Sequence, residues 1–194
     1  MMFVMYVLYI LLIFVFVLDL YLAFKFFEYL YCTHILKQPP MVASNYLLRQ
    51  ALVDYINTYH KNVKNICDIG SGFGGLVRLL AEKTNANVYG LENMPFSVLI
   101  SRIYGWFYRT NSKIIWCDAF DWLDKSDIIF DVVVAYLGPD AIQKVLKYKN
   151  KMHILISMDF KLKNIKPVHV IKMSGATRYK GNLYPHMLYV YKFQ

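Results

Sequence analysis

The sequence predicts an α/β protein: a doubly wound, mostly parallel sheet of seven strands with a C-terminal antiparallel hairpin, preceded by one transmembrane helix. Three observations carry this. From Met1 to Leu18 there is no charged residue and no Pro or Gly. Between Val63 and Phe160, short apolar runs alternate with longer stretches of helical spacing, the pattern of strands joined in parallel by crossover helices. A glycine-rich loop, Asp68-Ile69-Gly70-Ser71-Gly72-Phe73-Gly74-Gly75, stands directly after the first of these runs and directly before a helical one.

Residues 1–24 read as a transmembrane signal anchor: Asp19 is the only charge up to Phe24, and at about 1.5 Å per residue the segment spans a hydrocarbon core of roughly 30 Å. A cleavable signal peptide wants a basic start, a shorter apolar core and a small-residue cleavage site, and the segment has no clear form of any of them. Lys25 and the basic remainder place the C-terminal domain on the cytoplasmic side of the membrane, or the matrix side in an organelle, as part of a single-pass protein. Residues 25–40 read as a juxtamembrane linker whose Phe26, Phe27, Tyr29 and Tyr31 suit a membrane interface, and Pro39-Pro40 marks its boundary with a domain over residues 41–194.

Within that domain, Ser44 or Asn45 caps a helix through Leu47, Leu48, Ala51, Leu52, Tyr55 and Ile56, whose spacing keeps one apolar face. Five buried parallel strands are expected at Val63 to Ile69, Asn87 to Leu91, Lys113 to Cys117, Asp131 to Tyr136 and Met152 to Ser157. Val168 to Met173 and Met187 to Phe193, joined by a polar, Gly-containing segment, suit the closing hairpin.

Once the apolar segment is set aside, the 194-residue chain leaves room for one such core and not for two catalytic domains. Lys and Arg outnumber Asp and Glu by 22 to 13, and all 22 lie beyond Phe24. Such a basic surface awaits an anionic partner. Beside a membrane segment, acidic lipid headgroups are the first expectation, ahead of nucleic acid. Cys32, Cys67 and Cys117 form no CxxC pair, so neither a metal site nor a disulfide framework is expected, and buried reduced thiols fit a reducing compartment. His34, His60, His153, His169 and His186 show no paired spacing and are assigned no catalysis.

The glycine loop lets the backbone pass close under a nucleoside at the carboxyl edge of a Rossmann-like sheet. Gly70, Gly72 and Gly75 also satisfy the dinucleotide spacing G-x-G-x-x-G, so the loop alone leaves the nucleotide open. Acids beside it narrow the choice. Asp68 stands two residues before the first Gly, as the acid does in the D-x-G-x-G pattern of methyltransferases that this stretch resembles, which implies a carboxylate engaging the amino-acid end of the cofactor through water or loop amides. Glu92 ends the second strand, where a carboxylate accepts both ribose hydroxyls, as it also does in NAD enzymes. Asp118 follows the third strand, where the resemblance to methyltransferases implies an acid that accepts from the adenine amino group, with the amide of Ala119 beside the ring.

With this D-x-G-x-G motif and its two further acids, the chain from about Pro39 onward resembles the class I S-adenosylmethionine-dependent methyltransferases. Within them it is similar to the small membrane-anchored protein-lysine methyltransferases of the ATP synthase c subunit and adenine nucleotide translocase type. The apolar anchor, Gly90-Leu91-Glu92-Asn93-Met94-Pro95-Phe96 with Ser101-Arg102 and Trp106, Ser157-Met158-Asp159-Phe160 and the aromatic Leu188-Tyr189-Val190-Tyr191 carry that likeness. The chain departs from those relatives at Phe73-Gly74-Gly75, where they usually end the loop with an Asp-Gly-Arg-like sequence. The resemblance implies S-adenosyl-L-methionine as cofactor, held by Asp68, Gly70, Ser71, Gly72, Gly74, Glu92, Asn93, Asp118, Ala119 and Tyr136, with no metal. It implies N-methylation of a lysine on a membrane-associated protein, with Tyr136 and Asp159 as the catalytic candidates on the edge where the acceptor enters. A lipid or quinone acceptor is the next reading, then RNA, and outside catalysis a membrane-tethered nucleoside-binding scaffold.

Overall fold

The structure, a computed structural model, describes residues 2–36, 44–179 and 182–193. The Pro39-Pro40 boundary lies outside them. The chain divides into two units, Met1–Val42 and Ala43–Gln194.

The first unit is helical. α1 (Met2–Leu30) continues into a π-helical turn at Tyr31–Leu36, so the residues expected to begin a linker at Lys25 are helix instead. The cause is composition: the aromatic stretch holds no Pro or Gly before residue 37, and Lys25 reaches Glu28 across one turn at 2.6 Å, a helix-supporting pair. The span Val4–Ile35 is long and apolar enough to cross a membrane, and its most apolar stretch is unburied.

In the second unit, α2 (Tyr46–Tyr59) starts at Asn45, whose side-chain oxygen accepts from the Leu47 N–H at 2.9 Å. Then come β1 (Asn65–Ile69), α3 (Gly75–Lys83), β2 (Asn87–Glu92), α4 (Pro95–Phe107), β3 (Ser112–Trp116), α5 (Ala119–Lys125), β4 (Phe130–Ala135), α6 (Ala141–Lys144) with a 3₁₀ turn, β5 (Met152–Met158), β6 (His169–Tyr179) and β7 (Asn182–Lys192). They form one sheet in the order β3-β2-β1-β4-β5-β7-β6, with β7 antiparallel between β5 and β6. The order reverses between β1 and β4, which opens a crevice at their carboxyl ends.

Alternation along each strand divides the core. Val132 and Val134 of β4 join Ile66, Val88 and Ile156 beneath Leu48, Leu52 and Ile56 of α2 and Leu76, Val77 and Leu80 of α3. Val133 and Ala135 turn the other way, with Cys67, Leu91 and Leu155, onto Leu123 of α5, Ile142 of α6 and Tyr148. Both faces of β4 and β5 are covered, which is why these read as mostly apolar runs, whereas β3, expected to be buried, lies at the sheet edge and is only partly buried, with Lys113 and Trp116 exposed.

The hairpin differs from expectation in length. The polar segment thought to join its two arms is itself strand, paired Ala176↔Pro185 through Tyr179↔Asn182 beyond a bulge between Lys172 and Ala176. Main-chain pairing carries the ladder whatever the side chains, and Ser174-Gly175 at the bulge breaks the alternation that would have marked it.

Leu52 is fully buried at the centre of the α2 face. Leu52→Ala should lower stability by roughly 2–5 kcal/mol, read as a shift of the urea midpoint for the second unit's unfolding in the detergent-solubilised chain.

Candidate cofactor and acceptor site

The glycine loop is shaped by its backbone. Gly70, Gly72 and Gly74 all have positive φ, at 75°, 53° and 69°, a region costly for any residue with a Cβ. At Gly74 a Cβ would also lie 1.9 Å from the hydroxyl of Ser101 on α4. The loop is fastened at two points: the N–H groups of Gly70 and Ser71 donate to Leu91 O at 2.9 and 3.1 Å, and that of Gly72 donates to Glu92 Oε2 at 2.7 Å.

Glu92 is buried, and its Oε1 accepts from the Met94 N–H at 2.9 Å, so one carboxylate ties the loop to the start of α4. A carboxylate at the end of the second strand is chemically able to accept from ribose hydroxyls through charge-assisted hydrogen bonds. Ser71, also buried, has a hydroxyl without a hydrogen-bond partner among the described residues. These features fit a nucleoside cofactor.

Asp68, at 3 % exposure, sits beneath the loop. Burial first, then the nearby charge of Glu92, push its carboxyl from 3.8 up to about 7, against an opposing pull from Arg49. Arg49 is a residue that spacing did not single out. From the first turn of α2 its guanidinium donates to Ser44 O at 2.6 and 3.1 Å, and it stands 2.2 Å from where a Cβ on Gly75 would lie. The buried acid, the loop and this cation share one end of the sheet.

Asp118 is exposed and caps α5: its Oδ1 accepts from the N–H groups of Phe120 and Asp121 at 2.8 and 3.2 Å. Ala119 opens that helix, and the carbonyl of Asn93 accepts from the Trp116 indole at 3.1 Å. Thus Asp68, Glu92 and Asp118 lie at or just beyond the carboxyl ends of β1, β2 and β3, which are adjacent in the sheet.

Tyr136 follows β4 and Asp159 follows β5, and the structure joins them. The Tyr136 hydroxyl donates to Asp159 Oδ2 at 2.9 Å. A third side chain completes the group: His186 of β7, 8 % exposed, places Nδ1 at 3.0 and 3.2 Å from the two Asp159 oxygens. The Met187 N–H donates to Asp159 Oδ1 at 3.0 Å, and Asp159 itself has a φ of 63°. The Asp159 side chain is only 1 % exposed, so it is enclosed by its partners. Sequence spacing missed His186 because its partner lies 27 positions earlier; the available signal was its place just before the last apolar run, which the hairpin brings beside β5.

The thiols have no part in this. Burial raises Cys67 well above its ordinary value and Cys117 to about 11, so both stay protonated near neutral pH. Among the described residues, no group of three His, Cys, Asp or Glu side chains is arranged to hold a metal ion.

No protein-family model and no curated protein sequence matches the chain. Solved structures do. An RNA methyltransferase from Salinibacter ruber in complex with S-adenosyl-L-homocysteine superposes with a TM-score of 0.65 at 19% identity, over 78% of this chain and 94% of its own. Precorrin 8w decarboxylase from Methanobacterium thermoautotrophicum gives 0.57 at 17% identity, over 77% and 91%. TrmK from M. capricolum, in complex with S-adenosylhomocysteine, gives 0.55 at 14% identity, over 73% and 67%. The likeness is one of fold: the second unit has the Rossmann-like architecture of these structures, with a mostly parallel sheet and an antiparallel β5-β7-β6 edge.

Proposed function

We propose that this chain is an S-adenosylmethionine-dependent methyltransferase, anchored in a membrane by α1, that N-methylates a lysine of a membrane-associated protein. The observation carrying the first part is the clamped glycine loop with acids at three successive strand ends. S-adenosylhomocysteine bound to neighbours of the same fold supports it. The apolar span and the likeness of Asn93-Met94-Pro95-Phe96 and Ser157-Met158-Asp159-Phe160 to the anchored lysine methyltransferases support the second.

In this reading Glu92 takes the ribose hydroxyls, Asp118 and Ala119 flank the adenine, and Asp68 faces the α-ammonium across the loop formed by Gly70, Ser71, Gly72 and Gly74. Arg49 is the cation at hand for the α-carboxylate. The bound cofactor supplies an electrophilic methyl group, and the chain supplies orientation and a dry path for the acceptor. Tyr136 commits its proton to Asp159, so it offers the acceptor a ring face and oxygen lone pairs. Asp159, enclosed and already holding Tyr136, His186 and the Met187 amide, acts as a positioning residue for Tyr136. An amine must shed one proton before it attacks, and the uncharged form is favoured where Tyr136 and neighbouring apolar groups displace water.

RNA is the second reading, because the Salinibacter ruber neighbour is an RNA methyltransferase and this chain carries a net +9. Nucleic acid therefore stays among the acceptors to be tested.

Three outcomes are expected. Calorimetric titration of the full chain in detergent should show S-adenosylhomocysteine binding that Glu92→Ala weakens by about 100-fold or more, the value of two charge-assisted hydrogen bonds; binding of NAD instead would overturn the cofactor assignment. The folded-state carboxyl of Asp68 lies above its unfolded value, so the stability it contributes is full below pH 3.8 and lost as pH rises through about 7. Without ligand, wild type should therefore lose thermal stability relative to Asp68→Asn across that window, and the two melting curves should run level outside it. Methyl-tritiated cofactor incubated with the chain and its native membrane fraction should label a protease-sensitive band that yields methyl-lysine on hydrolysis; an RNase-sensitive label would replace lysine with RNA.

A further inference from the structure

The face of α4 turned to solvent is apolar, and the face turned to the sheet is partly polar. Ser97, Val98 and Ser101 are the buried positions, and the hydroxyl of Ser101 is buried with no hydrogen-bond partner among the described residues. Phe96, Leu99, Ile103, Trp106 and Phe107 lie on the opposite side, where 3.6 residues per turn gathers them into a stripe about 100° wide. Trp106 is 82% exposed and Phe107 72%. A soluble helix ordinarily turns such a stripe inward.

Cations frame the stripe. From Asn93 to Cys117 the chain has no acidic residue, while Arg102, Arg109 and Lys113 are all exposed. These three line one cleft of about 1010 Å³ with Trp106, Phe107 and Asn111, at the end of α4 where the chain turns into β3. Arg109 ends the helix in the left-handed region, with φ of 51°, a place where glycine is ordinary and a long cation costs backbone strain.

We propose that the exposed face of α4 docks on a bilayer surface containing acidic phospholipid, with Leu99, Ile103, Trp106 and Phe107 entering the headgroup boundary and Arg102, Arg109 and Lys113 meeting lipid phosphate. Aromatic and aliphatic side chains on one face beside cations are what an interfacial helix presents to lipid. A strand of RNA would also meet the cations and stack on the aromatics, but Leu99 and Ile103 offer nothing to a base face. The inference stands apart from the methyl-transfer reading and shares with the anchored reading only the bilayer.

The test uses the full chain reconstituted into phosphatidylcholine vesicles, with and without phosphatidylglycerol, carrying acyl-chain bromine as a tryptophan quencher. Flotation with the vesicles reports the anchor; the difference in quenching between wild type and Trp106→Phe reports α4. Bromolipid should quench wild type, this component should vanish in Trp106→Phe, and it should grow with phosphatidylglycerol and shrink in high salt. Arg109→Gly with Lys113→Gln removes two charges and relieves the left-handed strain, so it should fold, and it should weaken docking by roughly fivefold per charge. Equal quenching of wild type and Trp106→Phe in vesicles that carry the protein overturns the proposal while leaving the anchor intact. Failure to float overturns both. Trp106 quenched by a single-stranded oligonucleotide and not by bromolipid replaces lipid with nucleic acid.

Discussion

A carboxylate buried at the end of a parallel strand is costly unless donors around it replace the water it has lost. At Glu92 those donors include two main-chain amides, one from Gly72 in the glycine loop and one from Met94 at the start of α4. The first fixes a glycine loop that needs three left-handed residues in five positions; the second fixes the entry to α4. Burial, helped by the same charge, raises the Asp68 carboxyl beneath the loop to about 7. Loop shape, helix entry and the ionisation of the neighbouring acid thus converge on one side chain. Any ligand that engages this carboxylate acts on all of them together.

The parts legible in the sequence are those whose cause is local. Five strands announced themselves through short apolar runs such as Val132-Val133-Val134-Ala135, and the glycine loop because its turn needs glycines at fixed offsets. Asn45 as a helix cap was readable for the same reason. What escaped was set by pairing at a distance. His186 meets Asp159 only because β7 lies antiparallel beside β5, and no spacing along the chain encodes that. Arg49 reaches the loop from an element that precedes it by a whole strand. The long hairpin was hidden by a bulge that interrupts the period of two, and the helix past Lys25 by an aromatic composition that suits a linker and a helix equally.

Asp118 shows how one position serves two ends. An acid after the third strand was read as a contact for an adenine ring, and the structure shows it capping a short helix with a single oxygen. The two are compatible, because capping orients the carboxylate and holds the amides of the first turn at the edge of the crevice. Asp159 is similar: the sequence reading set it facing an acceptor, and the structure encloses it with protein partners that include the Tyr136 hydroxyl, His186 and the Met187 amide.

The place of β7 has a consequence for how the chain is made. It is the last strand in order of synthesis among those described, yet it lies between β5 and β6, which are not paired with each other. While a ribosome is still delivering the stretch from Asp159 to Lys192, a matter of seconds, β5 presents Ile154, Leu155 and Ile156 on an open edge. His186 reaches Asp159 only when that edge closes. The nascent chain is therefore sticky and incomplete around Asp159 until this late arm slots in, and a chaperone that shields one strand's edge for those seconds would govern how much of the protein reaches its folded form.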